Sequence, residues 1–305
     1  MTKNKYRVGT RGSKLALAQA QQVIDLLRSF DPGAEFSFEI IATRADRPGL
    51  NGSRDADREG IYTAELEKAL LDKRIDLAVH SAKDLPRQLH HGLSIAAFTA
   101  RIDPRDALIA HRGQRLMDLP RAAVVGVNSS CRRHQLARLR PDLNFVTLAG
   151  PLDVRIAKIR TGECQAMVTA CAGLIRLGLM ARTAEIFPLD VLLPAAGQGS
   201  LALQCRHDDL RCFRLFELAN HQPTAWAVLA ERAVLKALHA DHQISAGVSA
   251  SFPIGFSTQS TRKMFLQAVY YDPAVRKLVH ADTWGSPRRW RSLAEKIAED
   301  LKTKG

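Results

Sequence analysis

The chain has 305 residues, 46% hydrophobic and 25% charged, a balance that excludes a disordered polymer and leaves room for two or three domains with cores of their own. Its basic start is not followed by the apolar core of a signal peptide, and no run reaches the roughly 18 apolar residues of a membrane span, so a cytoplasmic protein is expected. The formal charge of +13 suits any polyanion, yet Lys and Arg are scattered and accompany no helix-turn-helix, zinc-finger or RNP signature; the expected partner is a small anionic ligand, not nucleic acid or a membrane.

In chain order, residues 6–9 read as a strand and 13–30 as a helix whose buried stripe includes Ala16, Ala20, Val23 and Leu27. Phe36, Phe38, Ile40 and Ala42 alternate with more polar neighbours, as in a second strand. A helix over 63–73 precedes a strand over 75–79, which runs directly into His80-Ser-Ala-Lys-Asp-Leu-Pro86. Polar groups just past the carboxyl end of a strand mark the place where open α/β sheets bind ligands. Residues 101–106, with a proline and several charges, suit a crossover between domains. A second α/β unit follows: strand 122–127, helix 130–139, strand 144–148, helix 154–161 and strand 165–169. The return crossover is placed at 193–200, where small residues and glycines permit a hinge. Helix 224–238 then leads into antiparallel strands at 252–256, 264–271 and 277–283, and an amphipathic helix over 287–304 closes the chain. The expected architecture is α/β: residues 1–99 and 200–219 form one lobe, 100–199 a second across a cleft, and 220–305 a small C-terminal α+β domain.

The five cysteines, at 131, 164, 171, 205 and 212, form no CxxC pair and are odd in number, which argues against both a zinc site and a disulfide framework.

Val8-Gly-Thr-Arg-Gly-Ser13-Lys-Leu-Ala-Leu-Ala-Gln19, Ala78-Val-His-Ser-Ala-Lys-Asp-Leu-Pro86, Asp103-Pro-Arg-Asp106, Ala172-Gly-Leu and Gly197-Gln-Gly199 resemble, in order and spacing, motifs of the hydroxymethylbilane synthase (porphobilinogen deaminase) family. The resemblance runs almost end to end and is weakest after about residue 240. That family joins porphobilinogen units head to tail into a linear tetrapyrrole, releasing ammonia at each addition, on a dipyrromethane primer held by a cysteine thioether. The resemblance implies two periplasmic-binding-protein-like lobes around a cleft and a third domain carrying the primer. It also implies roles. Asp84 is the carboxylate beside the ring nitrogens, where a water-poor cleft strengthens its effect on developing positive charge. Arg11, Arg132 and Arg155 take the acetate and propionate groups, because guanidinium forks pair bidentately with carboxylates, with Lys83, Ser13 and Ser129 in support. Without the resemblance, Ser13 reads equally as a helix cap, Lys83 and Asp84 as a solvated pair, and Arg132 and Arg155 as solvated helix faces.

The sequence departs from the family at the primer. The Gly-Gly-Cys-Gln type segment that holds the attachment cysteine corresponds to Ala240-Asp-His-Gln243, with His242 at the cysteine position, and imidazole does not replace a thiolate in a thioether. Asp55, Asp57 and Glu59 precede Gly60-Ile-Tyr62 where the family has basic and glycine residues, and their charges repel substrate carboxylates. An ungapped match sets Cys131 where an arginine is expected, whereas a slip of one residue retains both Arg132 and Arg133; Leu148-Ala-Gly-Pro151 lacks a further arginine either way. His239, Asp241 and His242 read as a solvated loop rather than a metal site, and Cys205 as a core thiol.

Two functions fit. The first is a diverged paralogue that has lost standard porphobilinogen polymerisation and binds a pyrrole or other anion in the cleft, with no dipyrromethane attached. The second is an active hydroxymethylbilane synthase that holds its primer noncovalently or on another residue such as Cys131, whose plain reading is an inert buried thiol. A secreted two-lobed solute-binding protein would suit the fold but not the missing signal peptide.

Overall fold

The computed structural model describes residues 4–46, 60–238, 245–253 and 263–304. The chain opens with β1 (Lys5–Thr10), α1 (Lys14–Phe30), β2 (Glu35–Ile40), α2 (Ala64–Leu71), β3 (Leu77–Ser81) and β4 (Leu93–Phe98). Ala20, Val23 and Leu27 recur on one side of α1 and are buried with Tyr6, Val8 and Leu77, while Ala16, in the first turn, is only half-buried. β2 lies at a sheet edge, so Phe38 and Ile40 remain largely exposed despite their alternation.

The second unit comprises β5 (Asp106–Ala110), β6 (Val124–Gly126), α3 (Ser130–Leu139), β7 (Asn144–Val146), α4 (Leu152–Arg160), β8 (Ala166–Ala170), α5 (Cys171–Arg176) and β9 (Glu185–Ile186). After β10 (Leu201–Arg206) and α6 (Leu210–Glu217) come α7 (Gln222–Ala237), β11 (Ala246–Ser251), β12 (Met264–Asp272), β13 (Lys277–Gly285) and α8 (Trp290–Lys304). Three sheets result, with strand orders β2-β1-β3-β10-β4, β7-β6-β8-β5-β9 and β11-β12-β13. β10 inserts antiparallel between β3 and β4, Leu203 opposite Val79, so the first lobe is completed by a strand that follows the second lobe in sequence. Every residue of β10 is buried, as a central strand covered on both faces requires. The result is two α/β lobes and a small C-terminal α+β domain.

The expected strand at 252–256 is corrected. The strand is Ala246–Ser251, pairing with β12 up to Ser251 opposite Phe265, and Phe252 lies beyond it; residues 254–256 fall outside the described residues. Ala246, Gly247 and Ser249 carry little strand propensity, and tight packing decides the matter: a Cβ on Gly247 would lie 2.5 Å from the Leu193 carbonyl oxygen, and Val248 N–H donates to Pro194 O at 2.9 Å.

Both crossings between the lobes are fastened by one carboxylate. Glu231 of α7, fully buried, takes a bidentate pair from Arg101 on the first crossing at 2.7 and 2.9 Å. It also accepts N–H groups from Gly197 on the second crossing and Ala250 on β11, each at 2.7 Å. Gly199 has φ +96°, and a Cβ there would lie 2.6 Å from Ile102 O, so the two crossings touch backbone to backbone. Among the described residues no helix is long and apolar enough to cross a membrane.

Candidate functional site

Between the lobes lies a cavity of about 680 Å³ lined by Arg11, Ser13, Lys83, Asp84, Ser129, Arg132 and Arg155. Local structure accounts for their convergence. Arg11 follows β1 and Asp84 ends a short turn after β3; α1, α3 and α4 all begin at the cleft wall, where unpaired helix N–H groups favour anions. Ser13 and Ser129 cap two of these helices, their Oγ atoms accepting the N–H of Ala16 at 3.2 Å and of Arg132 at 3.5 Å. The capping reading of Ser13 therefore holds, within the lining of the cleft, and Ser129 caps its helix in the same way.

The cleft arginines differ in what they already hold. Arg11 pairs with Asp46 at 2.5 Å, donates from Nε to Thr43 Oγ1 at 3.2 Å and sits 4.8 Å from the Tyr62 ring centre. Burial pushes the Asp46 carboxyl up, but hydrogen bonds from Arg11 and Thr43 outweigh it and hold the group below its ordinary value. Arg132 grips the fully buried Asp106 through Nε and Nη2 at 2.8 and 2.6 Å, and Nη2 also donates to Gln198 Oε1 at 3.0 Å. Among the described residues nothing engages its Nη1, which is left to meet a ligand. Burial opposes the Arg132 charge, yet Asp106 prevails and raises its pKa.

Among the described residues Arg155 has no such carboxylate partner. Its Nε is buried and no acceptor among the described residues meets it, and burial pushes its pKa down to about 10 despite the pull of Tyr62 and Asp84. Arg176, which the sequence did not single out, also lines the cleft; it donates to Gln22 Oε1 and Gly199 O, both neutral and both at 3.1 Å, and burial lowers its pKa to about 10. A guanidinium held by neutral acceptors in a poorly solvated cleft is one that a ligand carboxylate can neutralise.

Burial raises the pKa of Asp84, while Lys83, Arg11 and a hydrogen bond from Ser81 pull it back. Lys83 Nζ donates to Gln198 Oε1 at 3.1 Å, and burial, then Arg132, push its pKa down to about 8 against Asp84 and Asp106. Gln198 was also missed. Its Oε1 receives Lys83 and Arg132, and its Nε2 donates to Pro104 O and Asp106 Oδ1, each at 2.7 Å. A lone amide between two glycines was the available signal, but the segment reads from sequence only as a hinge.

Of the residues where the sequence departs from its resemblance, Cys131 lines the cleft but is 7% exposed, accepts from Gln135 Nε2 at 3.1 Å and packs with Leu193 and Val269. None of the five cysteines forms a disulfide and all are buried, Cys205 completely. Ala149 is exposed, while its neighbours Gly150 and Pro151 line the cleft. Asp55, Asp57, Glu59, His239, Asp241 and His242 lie outside the described residues.

The Lys83 amine predicts a pH dependence. Its folded pKa lies below the ordinary 10.5, so between about 8 and 10.5 the unfolded chain binds the extra proton and this group makes stability rise with pH. An anionic ligand restores the ammonium. Below pH 8 it finds the charge already present; above, binding must take up a proton and affinity falls as pH rises. Calorimetry in buffers of different ionisation enthalpy should show greater proton uptake at about pH 9 than at about pH 7. Equal uptake at both would sink this assignment.

Residues 6–214 match the family described as porphobilinogen deaminase, dipyromethane cofactor binding domain. A porphobilinogen deaminase from Desulforudis audaxviator is 40% identical over 294 residues, covering 96% of this chain and 93% of the relative. Another from Roseiflexus sp. is 45% identical over 247 residues, 80% of each chain. Among solved structures, the methionine binding protein MetQ aligns with a TM-score of 0.46 at 14% identity, covering 72% of this chain and 90% of that one.

Proposed function

This chain belongs to the porphobilinogen deaminase family, and from that premise we propose that it binds a pyrrole or similarly carboxylated anion between its lobes, carries no thioether-linked primer, and has lost standard porphobilinogen polymerisation. The observation that carries the binding half is the Arg155 guanidinium, which lines the cleft with a buried Nε that no acceptor among the described residues meets. A folded chain tolerates such a donor poorly unless something else completes it. The loss of the tether rests on the sequence: His242 stands at the attachment position, and the cysteine that lines the cleft, Cys131, is packed among apolar side chains.

The donor set fits the noncovalent part of a dipyrromethane group. Arg155, Arg176 and Lys83 would hold its acetates and propionates, and Asp84 would face the pyrrole N–H groups. When bound, that group supplies the primer onto which porphobilinogen units are joined. Asp84, kept in a water-poor wall beside a cation, favours a second reading, an active hydroxymethylbilane synthase whose primer is retained without a thioether.

Intact-protein mass spectrometry, paired with incubation in porphobilinogen, separates the two. The expected result is the unmodified polypeptide mass and no linear tetrapyrrole. A dipyrromethane adduct, or turnover, would favour the second reading. His242→Cys alone should not restore activity, because the carboxylate-binding set would still lack the arginine missing at 149; strong turnover by that variant would falsify the proposed loss.

A further inference from the structure

A second hollow, of about 570 Å³, lies where the first lobe meets the C-terminal domain, between strand β4 and helix α7. Ile95 and Phe98 of β4 pack with Ala225 and Leu229 of α7, so its floor is apolar. One end is neutral: Asn220 Oδ1 accepts the Phe98 N–H at 3.0 Å and His221 N–H donates to Phe98 O at 2.8 Å. The other end is cationic. Ala225, Leu229, Arg232 and Lys236 are three or four residues apart and share a helix face, which therefore passes from apolar to basic toward the end of α7. Arg87 joins that end, and no Asp or Glu lines the hollow among the described residues.

The shape follows from the elements that bound it. Residues 222 and 236 both line the hollow, and at 1.5 Å per residue they are about 21 Å apart along the helix, much the length of the six residues of β4 alongside. We propose that this trough binds a free long-chain carboxylate, with its acyl chain between β4 and Leu229 and its head group at Arg232 and Lys236. The apolar floor takes the chain from water, and Lys236, beside an Arg232 guanidinium that donates to Leu85 O at 3.2 Å and Pro86 O at 2.5 Å, fixes its direction. Arg87 lines both the trough and the cleft, whereas Arg232 and Lys236 line the trough and not the cleft.

Calorimetric titration of the whole chain with sodium dodecanoate, kept below its micelle concentration, tests this site. Saturable binding is expected, weakened about tenfold or more by Lys236→Glu, whose side chain is exposed and outside the cleft. Arg155→Met, which removes a cleft guanidinium, should leave dodecanoate affinity unchanged, and dodecyltrimethylammonium, with the same tail and opposite head, should not bind. The assignment is overturned by absence of saturable binding, by equal affinity in Lys236→Glu, by binding of the cationic analogue, or by loss of binding in Arg155→Met, which would place the anion in the cleft.

Discussion

Glu231→Ala is expected to lower unfolding stability by about 3–5 kcal/mol, the range for breaking a buried ion pair by removing one partner. The carboxylate is fully buried and serves four donors: both ends of the Arg101 fork and the N–H groups of Gly197 and Ala250. Truncation strands the Arg101 charge, 12% exposed, and orphans two backbone donors. The loss also reaches the cleft, because Gly197 precedes Gln198, whose amide holds Lys83 and Arg132. Glu231→Gln keeps the shape but not the charge and should fall between the variant and the parent. The double variant Arg101→Met, Glu231→Leu should recover much of the deficit, since no charge is then left without its counterpart. Urea unfolding that shows less than about 1 kcal/mol lost in Glu231→Ala would mean that the crossings are held by something else.

Arg155→Met should do the opposite to the fold while harming the site. Removing a half-buried guanidinium that meets no carboxylate among the described residues relieves an unsatisfied buried Nε and a cost already visible in the fall of its pKa to about 10, so the unfolding midpoint should stay level or rise. Binding of porphobilinogen, the natural probe for this family, should weaken by about 2–5 kcal/mol, roughly thirtyfold to several thousandfold, as when one member of a desolvated charge pair is lost. Arg132→Met supplies the contrast: Asp106 would be left buried and unpaired, and stability should fall. If Arg155→Met destabilises the chain as Arg132→Met does, Arg155 is part of the scaffold and the binding proposal loses its support. The stability gain and the affinity loss together identify a residue kept for a ligand.

Much of this was legible in the primary structure, for reasons that can be named. Helical spacing marked α1, and α3 spans the expected 130–139, since one buried stripe of a surface helix is a local pattern. The polar run after β3 pointed to Lys83 and Asp84 because a strand end in an open sheet is a fixed kind of place. β4, β5 and β10 were not read as strands. Leu201–Arg206 is buried at all six positions, so it has no alternation to detect, and its partners Val79 and Ala97 are more than a hundred residues away. β11 was misplaced because its small residues are chosen for backbone contact with Leu193 and Pro194.

The amino-acid order by itself determined the strand ends and helix starts that wall the cleft, through local periodicity, caps and glycines, and its family resemblance marked Arg11, Lys83, Asp84, Arg132 and Arg155, but not Arg176 or Gln198. Only the folded chain decided what those side chains are free to do. Arg11, Arg132 and Arg155 are alike as residues, yet Asp46 engages the first, Asp106 holds the second in a bidentate grip, and the Nε of the third is left without an acceptor. Electrostatic interaction depends on separation and on the exclusion of water, and both are properties of groups brought together from distant parts of the sequence.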